Sequence, residues 1–496
     1  MTLPNPKRPK KIRLLSLVLL IIVASVGGVY AYQQLNPAQS CAAPLGNAKI
    51  LKTQLAAPAT FGGVSEFALP SPDREANAPT VAPDGSVWFA EQSVAGIAHF
   101  YPGNRTLVEY AWPYAYPEAA SSGALCGDKT FVWGLALWNG KVWAGDTVDN
   151  QLVALDPSTG QFATVKVQTN GSFPYTLTPG PDNKLWFTEL FVQKIGELSS
   201  NGTLREHLVP GGVSAEPSQV IFANSTTGYY VDTHGGDAKG GVYSFDPAHF
   251  APKLVGGQNL NLPSSIAISS GAIWVTLHGS SSLASYNFTT RTWAYYPTTA
   301  IGWYPTTLPY FVSADGSYVW FNEHYGNKMA KIDPAKGSLT EYSESSSQSL
   351  NGSTIGNALT FAVGGGRAWF TELTGNILGY VDASYAPGFS TSIAGNNTVV
   401  ISRGSNASVS LVVHDTTHQG MLSLSFADSE SLTSKPSDLT FSAPGNSVSP
   451  PMGGVSSVKV TVSASQSLKP GIYFAILTAT DGLTYESSFM KIVVRG

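Results

Sequence analysis

Seven aromatic strands recur along this chain, and their spacing restricts the fold more than any other feature. Trp88, Trp143, Trp186, Tyr230, Trp274, Trp320 and Trp369 each anchor a phrase such as VAPDGSVWFAE, GPDNKLWFTE or ADGSYVWFNE, with successive anchors 43 to 55 residues apart. The remaining copies read LWNGKVWAGD, the degenerate NSTTGYYVD, SSGAIWVTL and GGGRAWFTE. Self-similarity at a fixed period marks a repeat architecture, and a four-stranded propeller blade takes about 40–45 residues. Helical solenoids need apolar residues at i, i+3 and i+4, whereas KVWAGD and KLWFTEL alternate with period two. The predicted fold is therefore all-β, with a seven-bladed β-propeller over residues 61–393. Each aromatic strand is followed by one such as QLVALDP or KIGELSS, then by one such as TLREHLVP or SLTEYS. The early segment VSEFALP, Val64 to Pro70, resembles that last strand without a blade of its own. Pairing with the seventh copy would close the ring and remove open sheet edges.

Beyond the repeat, residues 394–496 contain no Trp and read as seven short alternating runs, among them SVSLVVH, VSSVKVTVS and GIYFAILTAT. That count in about 100 residues matches an immunoglobulin-like β-sandwich. A hydrophobic fraction of 43% supports packed cores in both parts. Charged residues make up 12%, against about 25% in ordinary soluble domains, so the surface must be built from Ser, Thr, Asn, Gln and Gly. Net charge is -4, and no basic patch follows the first 13 residues, which argues against a nucleic-acid partner.

The N-terminus decides the expected compartment. Residues 1–13 are basic, and the uncharged run from Leu14 to Tyr32 is close to the roughly 20 residues that cross a bilayer. Positive charge stays cytoplasmic, which places the bulk of the chain outside. The run is either a transmembrane anchor over 14–32 or a signal peptide cut after Ala31, in which case the protein is secreted. Residues 33–60 read as a linker. Sequons at Asn104, Asn170, Asn201, Asn224, Asn287, Asn351, Asn396 and Asn406 all lie downstream and fit a glycosylated exterior. Cys41 and Cys126 either pair as a disulfide or remain free thiols.

The phrases PDNKLWFTELFVQKIGELSSNGTLREHLVP and DGSYVWFNEHYGNKMAKIDPAKGSLTEYS resemble blades of the streptogramin B lyase family, and the resemblance covers about residues 61–385. It implies a propeller and a Mg²⁺-assisted elimination that opens a cyclic depsipeptide at its ester. The implied base is a His in an E-P-H phrase, beside metal-binding glutamates, with a second His after Pro in another blade. Here SAEPSQV offers Glu216 and Pro217 but Ser218 in the base position. The other Pro-led phrases place Thr80, Tyr175, Ser264 and Thr306 there, with Ala358 in the copy that lacks Pro. A hydroxyl with no paired base does not remove a proton near neutral pH.

Two rings of candidate residues follow. Glu91, Asp146, Glu189, Asp232, Glu323 and Glu372 end the aromatic strands, where they could hold Mg²⁺ or Ca²⁺, or else cap turns and pair with Lys194 or Lys328. Thr80, Tyr175, Ser218, Ser264 and Thr306, with Glu216, would line the opposite end of the channel for a small molecule, glycan or peptide, or hold water there. His234, His278 and His324 are further possible metal ligands, and Trp112–Pro117 and Ile301–Pro305 possible stacking loops. The expected function is a membrane-anchored, extracellular propeller that binds a small-molecule, glycan or protein ligand without catalysis. A carbon-oxygen lyase using Glu216 and a metal is one alternative, and a structural surface-layer component another.

Overall fold

The computed structural model describes residues 47–70, 74–92, 96–112, 132–147, 149–233, 240–257, 260–299, 307–345, 358–418, 420–428 and 438–496. The chain divides into two units, Met1–Ala42 and Ala43–Gly496. The first lies outside the described residues, as do Cys41, Cys126, His234, Thr306, Asn351 and the loop Ile301–Pro305. Among the described residues, no helix is long and apolar enough to cross a membrane.

Each aromatic phrase is the second strand of its own antiparallel sheet. These strands are Val87–Glu91, Lys141–Asp146, Lys184–Glu189, Thr227–Asp232, Ala272–Leu277, Tyr318–Glu323 and Arg367–Glu372. The strands before them are Ala76–Val81, Val132–Trp138, Pro174–Pro179, Pro217–Asn224, Pro263–Ser269, Pro309–Asp315 and Ala358–Gly364. Each of these first strands touches the next, and Ala358–Gly364 touches Ala76–Val81 again, so the sheets follow one another in a closed circle.

The Trp-Phe dipeptide explains the circle. Successive side chains on a strand point to opposite faces of the sheet. Trp186 packs forward into the fourth sheet with Val220 and Tyr230, while Phe187 packs back against Trp143 and Leu152 of the second. Trp320 likewise meets Phe361 ahead, and Phe321 meets Trp274 behind. Room for the Phe ring comes from the glycine of KIGEL. A Cβ on Gly196 would sit 2.1 Å from Phe187 Cζ, so no larger residue fits.

Closure follows the expected route. Val64–Ala68 pairs antiparallel with Ile377–Asp382, in the register Val64↔Val381 and Phe67↔Leu378. Val64 enters the core between the sixth and seventh sheets, and Phe67 the core between the seventh and first. The expected linker over 33–60 needs correction. Lys49–Gln54 forms a fifth strand on Thr106–Ala111, and Ala59–Phe61 makes a hairpin with Val64–Ala68. Lys49 and Lys52 suit this edge position, because they stay exposed while the backbone covers an open ladder.

The C-terminal strands form two sheets around one core, in which Leu411, Val413, Val460, Ala475, Leu477 and Ile492 are fully buried. One sheet runs Phe389–Ile393, Asn406–Asp415, Val455–Ala464 and Leu439–Ser442. Phe389–Ile393 pairs with Asn406–Asp415, so strand pairing places the start of this region before residue 394. The other sheet contains Thr484–Arg495, which also pairs with Ser338–Ser343, the outer strand of the sixth sheet, from Ser338↔Ser488 to Tyr342↔Thr484. The sixth sheet and this sheet are therefore one continuous nine-stranded sheet.

Phe67, 5% exposed and 4.9 Å from the Phe100 ring centre, tests the closure. Phe67→Ala should cost roughly 3–5 kcal/mol in chemical denaturation. A loss under about 1 kcal/mol would mean that the closing strand contributes little to the circle.

Candidate functional site

Strand register fixes which side chains open the first strands. The second strands end opposite the starts of the first: Ala76↔Glu91, Val132↔Asp146, Pro174↔Glu189, Pro217↔Asp232, Pro263↔Leu277, Pro309↔Glu323 and Ala358↔Glu372. The residues that follow are Asn77, Trp133, Tyr175, Ser218, Ser264, Tyr310 and Leu359. This corrects four expectations. The acids and the first-strand residues lie at the same end of their sheets, not at opposite ends, since Glu189 pairs with Pro174 beside Tyr175 and Asp232 with Pro217 beside Ser218. Thr80 pairs with Trp88 and matches Thr178 opposite Trp186, deeper in its strand. Thr306 lies outside the described residues, and Tyr310 holds the position assigned to it. Leu359, not Ala358, supplies the seventh copy. Trp133 and Tyr310 were missed because Pro was followed as the marker, and the second copy has none while the sixth has two. Distance to the strand-ending residue, 13 or 14 positions in every copy, would have found them.

These positions bring aromatic rings together. The Trp133 ring centre lies 5.2 Å from that of Tyr175 and 6.0 Å from that of Tyr310. The Tyr175 and Tyr310 hydroxyls hydrogen-bond to each other, joining the third sheet to the sixth. Burial raises both phenols, that of Tyr310 to about 12, so both stay neutral. Leu359, Phe173, Leu190 and Leu373 complete an apolar cluster with them. Beside it, His278 and His324 stack with ring centres 5.0 Å apart, and His278 lies 5.2 Å from Tyr310. Burial lowers His278 to about 4, and it bonds to the backbone of Pro309. Proline can only accept there, so the imidazole donates one N–H, while Nδ1 makes no hydrogen bond with a described residue.

Ser218 and Ser264 point their hydroxyls elsewhere. Ser218 Oγ donates to Ser264 O at 2.9 Å, and Ser264 Oγ donates to Tyr310 O at 2.8 Å. Both stitch neighbouring first strands together. Glu216 is half-buried, and its N–H donates to Asp232 Oδ1 at 2.7 Å.

The six strand-ending acids are buried and held within their own surroundings. Glu323 meets Lys328 at 3.1 Å, and Lys328 meets Glu341 at 2.8 Å. Glu91 lies 3.8 Å from Arg74, which also holds Glu109 at 2.8 Å. Asp146 accepts from Gln151 Nε2 at 3.0 Å, Asp232 accepts from Glu216, and Glu372 hydrogen-bonds with Glu344. Burial, then the Glu206 carboxylate, pushes Glu189 up to about 8 against the pull of Lys194. Among the described residues, no three His, Cys, Asp or Glu converge as a metal set would require. The six acids do not fit one shared cation.

No family model matches the chain. A virginiamycin B lyase of Nocardia farcinica is 29% identical over 149 residues, taking 29% of this chain and 46% of that protein. The match thus spans about half the length of that curated relative. Virginiamycin B lyase from Staphylococcus aureus, in its selenomethionine form, aligns with TM-score 0.52 at 18% identity, over 64% of this chain and 98% of the other. A streptogramin B lyase structure aligns with TM-score 0.50 at 21% identity, over 64% and 96%. This chain carries a streptogramin B lyase-like propeller. A catalytically inactive variant of the Staphylococcus aureus enzyme, solved with quinupristin, aligns equally well, with TM-score 0.52 at 18% identity over 64% and 98%.

The buried acids make stability depend on pH. Glu189 is raised from 4.5 to about 8 and Glu486 from 4.5 to about 7, and Glu91 is raised as well, each mainly by burial. The folded state then binds more protons than the unfolded state, so this stability is full below about 4.5 and lost as pH rises through 7 to 8. His99 and His278, lowered to about 4, stay neutral above pH 6.5 and leave that window clear. Tm should therefore rise as pH falls from 8.5 to 6.5, with a shallower slope in Glu91→Gln/Glu189→Gln. A flat wild-type profile would contradict this.

Proposed function

We propose that this protein is a seven-bladed propeller displayed outside the cell, which binds a small ligand with aromatic or apolar surface at its channel mouth and does not turn it over. The observation that carries this reading is the convergence of Trp133, Tyr175 and Tyr310, with the two tyrosines joined from opposite sheets. Tyr175 and Tyr310, joined by their hydroxyls, form one aromatic cluster with Trp133 and Leu359. Neutral rings with a few fixed polar groups suit stacking and hydrogen bonding to an uncharged ligand. Ser218 gives its proton to a neighbouring carbonyl, which leaves it unsuited to take one from a substrate. Residues 14–32 would anchor the chain, or be cleaved to release it. The immunoglobulin-like C-terminal region would act as a spacer, and the sequons would carry glycans.

Quinupristin, the ligand of the Staphylococcus aureus variant, is the first probe. Titration should quench Trp133 fluorescence saturably, seen as the difference between wild type and Trp133→Phe. Tyr310→Ala should weaken binding about 10-fold or more. Mass spectrometry should show no ring opening with Mg²⁺ present. Turnover, or quenching that Trp133→Phe retains in full, would overturn the reading.

One observation favours a lyase with a rearranged site. His278 is a buried neutral imidazole with one N–H fixed by Pro309, which is how a general base is oriented. Mg²⁺ takes one or two carboxylates, and Glu216 with Asp232 could supply them. On this reading the ion would supply charge stabilisation, and His278→Ala would abolish any Mg²⁺-dependent opening.

A further inference from the structure

A second cleft, of about 910 Å³, lies where the sixth sheet, the end of the seventh and the C-terminal sheets meet. Small-molecule sites fall in the range of roughly 300–1,000 Å³. Its walls are fixed, because Ser338–Ser343 pairs residue by residue with the start of Thr484–Arg495 and the two sheets cannot hinge there. A preformed cleft spares a ligand the cost of ordering its site.

The charges on its floor are already engaged. Thr340 Oγ1 donates to Glu486 Oε1 at 2.7 Å. Lys331 Nζ donates to Ala383 O at 3.0 Å and lies 4.9 Å from the centre of the Tyr318 ring. At the rim, Lys336 faces Asp333 at 3.4 Å. What remains for a ligand is neutral. Ser338, Ser390 and Asn397 line the cleft with side chains that make no hydrogen bond with a described residue, beside the rings of Tyr318 and Tyr385. Hydroxyl and carboxamide groups next to aromatic faces recognise polyhydroxylated rings, by hydrogen bonds at the edge and stacking over the face. We propose that this cleft binds a neutral oligosaccharide. The site is separate from the channel mouth and does not depend on the reading given for that pocket. Asn396, the acceptor of a sequon, also lines the cleft, so the sugar could come from a free polysaccharide or from a glycan on this chain.

The test is calorimetry of the full chain, made without glycosylation, against maltotetraose, cellotetraose and chitotetraose. At least one should bind saturably. Ser390→Trp, at an exposed position, should weaken that binding 10-fold or more, with Tm and quinupristin quenching unchanged. In glycosylated protein, Asn396→Gln restoring binding would identify the chain's own glycan as the occupant, and equal binding with and without Asn396 would identify a free saccharide. Failure of all three sugars, or equal binding by Ser390→Trp, would overturn the proposal.

Discussion

A tryptophan beside a phenylalanine on one strand forces both faces of a sheet to be buried. In the first, third, sixth and seventh copies the two rings are adjacent, at Trp88-Phe89, Trp186-Phe187, Trp320-Phe321 and Trp369-Phe370, and all eight are buried. A sheet with two apolar faces needs a neighbour on each side. A row of such sheets ends only by closing on itself, which makes the pairing of Val64–Ala68 with Ile377–Asp382 a consequence of the dipeptide. Sparse charge follows from the same cause. With the sheet faces taken up by packing, charge is left for turns, edges and the few buried pairs.

The sixth sheet shows how far such burial can go. Lys328 is fully buried because strand Thr484–Arg495 covers it and sets Tyr485 over its ammonium at 4.5 Å. Glu323, Glu341 and the Thr299 hydroxyl complete its shell. Removing a buried ion from water costs several kcal/mol unless other groups replace the water. The C-terminal region supplies part of that shell, so the join is held by an electrostatic requirement as well as by a ladder of backbone hydrogen bonds.

The repeat, the all-β class and the closing strand were legible because each rests on local pattern. The join between the sixth sheet and the C-terminal strands was not, since SLTEYS and TYESSF carry nothing that names one another as partners. The acids at the strand ends misled for a related reason. One position in the repeat is satisfied by Lys328 in the sixth sheet, Arg74 in the first, Gln151 in the second and a backbone N–H in the fourth. Equivalent residues suggest a shared ring of charge, but the acids meet different surroundings: cations at Glu91 and Glu323, neutral donors at Asp146 and Asp232, a second acid at Glu372, and burial that raises Glu189. The mouth residues were half legible. Tyr175 follows its proline in sequence, whereas Trp133 and Tyr310 emerge only once strand register is known.

Hydroxyl groups tie the first strands together at the mouth. Ser218 donates to Ser264, Ser264 donates to the Tyr310 carbonyl, and Thr276 donates to the same carbonyl at 3.0 Å. That chain of hydroxyls crosses from the fourth sheet to the sixth and fixes the backbone from which the Tyr310 ring reaches Tyr175. An imidazole at position 218 would break its first link, because a ring nitrogen there cannot occupy the place of a serine oxygen packed against a backbone carbonyl. Stitching the first strands and presenting a base are therefore competing uses of one position. In this chain the position serves the stitch, which fixes the strand whose Tyr310 reaches Tyr175.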